Sequence, residues 1–222
     1  YVKRPFGEKL NASFDFLKEN WKLLLKFITY LLLPLCLIQA LSLNGLMSGA
    51  LSISAIASST AMAASSSSLI AFGSYYGLYM FLYLIGIILL TSLVYGLIRT
   101  YNEREERLQG VTLGMLKPRL FRNIKRLLLM TGACILLVLF VGIFVGLLVA
   151  LTPFTLFLTI PFIIAFSVPL ALLAPIYLFE DITLMEAFKK TFRLGFATWG
   201  GVFLVSLLMG IIANVLQGVT MM

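Results

Sequence analysis

The chain has 222 residues, 61% of them hydrophobic and 12% charged, with a mean hydropathy of +1.04. A soluble domain is roughly half apolar and about a quarter charged, and disorder requires low hydrophobicity, so both are excluded. What remains is an all-α integral membrane protein, long enough for about five or six spans of roughly 20 residues.

The other totals narrow the chemistry. The chain has no histidine, which removes the commonest general base and the commonest metal ligand. Its two cysteines, Cys36 and Cys134, lie in apolar runs and read as small packing residues. No metal or other cofactor is expected. The formal net charge of +8 reads, in a membrane protein, as the positive-inside bias and attraction to anionic lipid headgroups, not as nucleic-acid binding.

In chain order, residues 4–22 predict an amphipathic interfacial helix. Phe6, Leu10, Phe14, Leu17 and Trp21 recur at spacings of three and four, with Glu8, Lys9, Asp15, Lys18 and Glu19 on the other face. The first span is expected at 23–43, with a kink at Pro34. A Ser-, Ala- and Gly-rich external stretch follows at 44–74. Its serines can back-bond to helix carbonyls, which permits a short helical hairpin or a partly re-entrant path. The second span is expected at 75–98, then a basic cytoplasmic segment at 99–126, the third span at 127–151, and the fourth at 156–179 after a short turn. A charged cytoplasmic segment at 180–198 precedes the fifth span at 199–219.

Charge sets the topology. Every charged residue lies within the first 26 residues, in 99–126, or in 180–193. With five spans all three segments fall on one side. An extra span within 46–73 would carry the cluster at 104–126 across the membrane, against the positive-inside rule. The N-terminus and the charged segments are therefore expected in the cytoplasm.

The three cytoplasmic segments resemble one another. Leu113, Leu116, Leu120, Ile124 and Leu127 line one face of the second. Met185, Phe188, Phe192, Phe196 and Trp199 line one face of the third, where Thr183 and Glu186 form a capping-box signature. Phe14 and Trp21 share the spacing of Phe192 and Trp199. This suggests a repeated unit of interfacial helix, span and return span. Two units are complete and the third lacks its return, which predicts a sixth span beyond residue 222.

The candidate functional residues are the basic cluster Lys117, Arg119, Arg122, Lys125 and Arg126, beside a span on the anionic leaflet. The expected ligand is an anionic lipid headgroup, with the arginines ahead of the lysines because their forks bind two oxygens. Gly142 and Gly146 form a GxxxG expected to bring the third span close to another helix, and Gly73 and Gly77 form a second. Glu180 and Asp181 are adjacent carboxylates, read as helix N-terminal charge in preference to a metal or acid–base pair. Pro161, Pro169 and Pro175 are expected to kink the fourth span. Gln39, Asn214 and Gln217 are expected to hydrogen-bond between helices.

The chain resembles the bacterial multipass family typified by the membrane domain attached to some glycerophosphodiester phosphodiesterases, and its stand-alone relatives. The resemblance rests on Arg4-Pro5-Phe6-Gly7 ahead of an amphipathic helix, a first span ending with a Pro, and Ala174-Pro175 followed by the acidic turn and helix from Glu180 to Phe192. It implies a six-span helical fold in a bacterial inner membrane. It does not imply the phosphodiesterase reaction, which belongs to a separate soluble domain. The resulting expectation is a non-enzymatic polytopic protein, an accessory or scaffold that binds lipid headgroups or a membrane-protein partner. The alternatives are a transporter or channel subunit built from the repeats, and a lipid-modifying enzyme seeded on Glu180 and Asp181.

Overall fold

The computed structural model describes residues 6–58, 66–152 and 154–220. The fold is helical over 91% with no strand among the described residues. In chain order the helices are α1 (Phe6–Ser58), α2 (Ser66–Glu103), α3 (Leu113–Leu151), α4 (Thr155–Ala171), α5 (Leu173–Phe179), α6 (Leu184–Ala197) and α7 (Trp199–Thr220). Five stretches are long and apolar enough to cross a membrane: Leu10–Leu51, Leu69–Glu103, Leu113–Leu151, Thr155–Phe179 and Trp199–Val219.

The number of spanning stretches agrees with the expectation, but their boundaries differ. No break separates residues 6–22 from 23–43, and residues 4 and 5 lie outside the described residues: α1 is one helix of 53 residues, about 80 Å at 1.5 Å per residue. The basic stretch at 113–126 likewise continues into the third span as α3. Neither stretch contains a Gly-Pro or polar turn strong enough to stop a helix once neighbouring turns propagate it. Pro118 falls inside α3 without ending it. Only the third segment forms a helix of its own, α6, separated from α7 at Thr198.

The stretch expected as a connection at 44–74 is helical at both ends. α1 runs on to Ser58 and α2 starts at Ser66, and residues 59–65 lie outside the described residues. Serine back-bonding accompanies this extension: the Ser42 hydroxyl donates to the Ile38 carbonyl (3.1 Å), Ser48 to Gly45 (2.9 Å) and Ser74 to Ile70 (2.9 Å).

The chain divides into two compact units, one from Ala12 to Ile124 and the other from Lys125 onward together with the start of α1. In the first, Leu24 and Phe27 of α1, Leu93 and Leu97 of α2, Leu108 and Val111 of the α2–α3 connection and Leu116 of α3 form the core. Further along, α1 and α2 meet through glycines. A Cβ at Gly45 would stand 2.6 Å from the Tyr75 ring, and one at Gly49 would stand 3.4 Å from Phe72. The Ser92 hydroxyl of α2 donates to the Leu120 carbonyl of α3 (3.0 Å), and Asn123 returns a longer bond to the Ser92 carbonyl (3.4 Å). Ser92 and Asn123 are both buried, so these bonds also prevent the cost of unpaired polar groups.

In the second unit, Leu173 and Tyr177 of α5 and Ala187 of α6 form the core, with Met130 and Cys134 of α3 packed on it. The expected kinking is present as a break: α4 ends at Ala171 and α5 begins at Leu173, between Pro169 and Pro175. The aromatic stripe of α6 is not its buried face. Ala187, Thr191 and Gly195 are buried instead. The reason is a close backbone approach, since a Cβ at Gly195 would lie 2.7 Å from Pro169 Cα. The rings flank this seam, with Phe192 and Phe196 edge-on to Phe166 of α4 at centroid distances of 5.7 and 5.9 Å.

Much of the apolar surface of the long helices has no cover. Phe140 is 74% exposed, Phe154 82% and Phe157 78%. Gly142 and Gly146 belong to this surface, and a Cβ at either would meet nothing within 4 Å; the same holds for Gly73 and Gly77. Within its own compact unit neither motif makes the expected close contact among the described residues. The spacing that does serve as a contact is Gly45-x-x-x-Gly49 in α1. Cys36 is also exposed, contrary to its reading as a packing residue, whereas Cys134 packs as expected.

Candidate functional site

The basic cluster lies along the first turns of α3. Lys117, Arg122 and Lys125 are exposed, while Arg119 and Arg126 are partly buried. The two groups do different things.

Arg119 belongs to an ion network at the end of α2. Glu103 accepts from Arg99, one helical turn away, at 2.8 Å and pairs with Arg119 at 2.6 Å. Arg119 also donates to the Thr100 hydroxyl (3.1 Å), which in turn donates to the Gly96 carbonyl (2.8 Å). The connection to α3 is then tied back to α1. Arg107, in the left-handed region at φ 54°, donates to both carboxylate oxygens of Glu19 at 2.7 and 2.9 Å. Tyr101 donates to the same carboxylate (3.2 Å) and lies under the Arg107 guanidinium, 5.3 Å from ring centroid to charge. Glu19 stabilises the charged guanidinium and so raises the Arg107 pKa.

Arg126 anchors the turn between α5 and α6. Its guanidinium donates to Asp181 (2.8 Å), to the Tyr177 carbonyl (2.6 Å) and to the Ile182 carbonyl (2.8 Å). It also lies over the Tyr177 ring at 4.2 Å. Asp181 adopts φ 54°, a left-handed conformation that aspartate tolerates better than most residues. Its neighbour Glu180 pairs instead with Lys190 at 2.6 Å. The two adjacent carboxylates thus face different cations and do not converge. Among the described residues no group of three or more His, Cys, Asp or Glu side chains could hold a metal ion.

The start of α6 matches its sequence signature. The Glu186 N–H donates to the Thr183 hydroxyl, and the Thr183 N–H donates to the Glu186 carboxylate. These bonds, with the hydroxyl's own donation to the carboxylate (2.8 Å), hold the Glu186 pKa below its ordinary value. In α7, Asn214 back-bonds to Gly210 (2.8 Å), one turn earlier in its own helix.

Four of the residues that organise these contacts are absent from the sequence-level candidates: Glu19, Tyr101, Glu103 and Arg107. Arg99 and Glu103 carried a local signal, the four-residue spacing of opposite charges. The pairing of Glu19 with Arg107 crosses 88 positions and leaves no such trace. No family model, curated protein or solved structure matches this chain.

Proposed function

We propose that the chain is a non-enzymatic multi-pass protein of a bacterial inner membrane, with its charged segments cytoplasmic, acting as an accessory or scaffold that binds anionic lipid headgroups. The observation that carries this is the exposed apolar surface of five long helices bordered by exposed cations. Water does not tolerate a contiguous apolar surface of this extent, whereas lipid tails do. On α3 the exposed cations are Lys117, Arg122 and Lys125, whereas Arg119 and Arg126 pair with carboxylates of the chain itself. Each basic residue near an anionic leaflet contributes about 1 kcal/mol. The resemblance to the phosphodiesterase-associated membrane domain, resting on Ala174-Pro175 and the helix from Glu180 to Phe192, is part of the proposal.

The deciding experiment replaces Lys117, Arg122 and Lys125 together by Gln and measures co-purifying phosphatidylglycerol and cardiolipin by mass spectrometry. The expected result is less anionic lipid at unchanged folding. A folded triple variant with the parent's lipid complement would overturn the headgroup-binding reading.

A further inference from the structure

On the side of α1 opposite the buried Leu24 and Phe27 lies an open, shallow face formed by α1 alone. Its lining recurs every four residues along the helix, from Trp21 and Lys22 to Leu33 and Pro34. Polar and apolar groups are graded along it. Trp21, Lys22 and Lys26 stand at one end, Thr29 one turn further on, and Leu33 and Pro34 at the other end.

Lys22 and Lys26 are one helical turn apart, so their side chains can converge on one anion. Both are exposed, and neither forms an ion pair with a carboxylate of the described residues. Glu19, the acid one turn before Lys22, is occupied by Arg107 and Tyr101. Lys26 lies inside the Leu10–Leu51 stretch that is apolar enough to cross a membrane, where an unpaired ammonium is costly and its long stem turns it toward the headgroups. Thr29 offers a hydroxyl that makes no hydrogen bond within the described chain.

We infer that this face of α1 binds one anionic glycerophospholipid. Its phosphate sits between Lys22 and Lys26, an ester carbonyl accepts from the Thr29 hydroxyl, and an acyl chain lies along Leu33 and Pro34. Charge complementarity selects this occupant: the face has cations at one end, no acid along it, and a mostly apolar remainder. The inference rests on the multi-pass reading but assigns a different helix from the α3 cluster.

Trp21 reports on the site directly. The chain has two tryptophans, so the Trp199→Phe protein fluoresces from Trp21 alone. It is reconstituted into phosphatidylcholine vesicles containing a fixed fraction of acyl-brominated phosphatidylglycerol or acyl-brominated phosphatidylcholine, and quenching is compared. Stronger association with brominated phosphatidylglycerol is expected, by about fivefold or more, the factor one lysine contributes near an anionic surface. Lys22→Gln/Lys26→Gln should bring the ratio toward one. Should Trp199→Phe compromise folding, the parent and its Trp21→Phe variant give the same information by difference. Equal quenching of Trp21 by the two lipids, or selectivity that survives Lys22→Gln/Lys26→Gln, overturns the site while the multi-pass reading stands. Absence of quenching of either tryptophan by either lipid would overturn the membrane reading with it.

Discussion

Trp199 donates its indole N–H to the backbone carbonyl of Ala165 at 3.2 Å. In an uninterrupted helix that carbonyl would accept from the residue four positions on. That residue is Pro169, which has no N–H. The first residue of α7 therefore satisfies a group that a proline in α4 leaves open, and this joins the two helices at a defined height. Trp199→Phe keeps the ring but leaves the carbonyl unpaired, at a cost of about 1–3 kcal/mol. Melting in detergent should fall by several degrees. In a Pro169→Ala background Ala165 regains a helical donor, so the same Trp199→Phe change should cost clearly less; equal costs in both backgrounds would dissociate Trp199 from the proline.

Glycine-to-leucine substitutions should separate true contacts from spacing alone. At Gly195 the first added carbon already collides with Pro169 backbone. Gly195→Leu must push α4 and α6 apart, at about 1–3 kcal/mol or more. At Gly146 nothing lies within 4 Å of the added carbon, and Gly146→Leu should change monomer stability by no more than about 0.5 kcal/mol. Parallel thermal melts of the two variants test the contrast. A melting loss for Gly146→Leu as large as for Gly195→Leu would place an unseen helix contact on that face.

Arg126 and Lys117 should differ in kind although both are cations on one helix. Arg126→Gln removes the donor shared by Asp181 and two carbonyls, and hydrogen bonds to charged groups contribute about 1.5–3 kcal/mol each at most. Stability should drop markedly. Arg126→Lys should not restore it, because an ammonium lacks the planar fork that spans these acceptors. Lys117→Gln should leave the melting temperature unchanged. Full rescue by Arg126→Lys would show that charge alone suffices there.

The pH dependence of α6 follows from its capping box. Glu186 has a lowered pKa because Thr183 donates to its carboxylate from hydroxyl and backbone. Its folded value lies below its unfolded one, so its stabilisation is fully present above the ordinary glutamate value of about 4.3. That stabilisation is lost as pH falls through the lowered value. Amide exchange in the first turn of α6 should accelerate over that acidic range in the parent. In Glu186→Ala the same amides should exchange fast already at neutral pH, with a flatter profile. An identical pH profile in both proteins would remove the box from the account.

Sidedness is testable with single cysteines in a Cys36→Ser/Cys134→Ser background. Ser66→Cys and Asn102→Cys lie at opposite ends of α2. An impermeant thiol reagent applied outside intact cells should label Ser66→Cys only, because the Asn102 end carries the cationic segment. Labelling of both from outside would contradict the proposed topology.

Sequence alone determined the helical class, the number of helices long and apolar enough to cross a membrane and the segregation of charge, because these are bulk preferences written in composition. Long apolar runs without charge admit few other structures. The Thr183–Glu186 cap was equally legible, since both partners lie within one turn. Tertiary structure decided which residues within those classes touch. Gly142 and Gly45 carry the same four-residue spacing, yet only Gly45 faces an aromatic ring on another helix. The α6 face chosen by hydrophobicity was the ring stripe, whereas the face that packs is the one small enough for Pro169 to approach. Arg119 and Arg126 looked like the best phosphate ligands of their cluster, and each is held by a carboxylate brought in from another segment. Periodicity reports how residues are arranged around one helix axis; which side of that axis meets a neighbour depends on the path of the rest of the chain, and no local spacing encodes it.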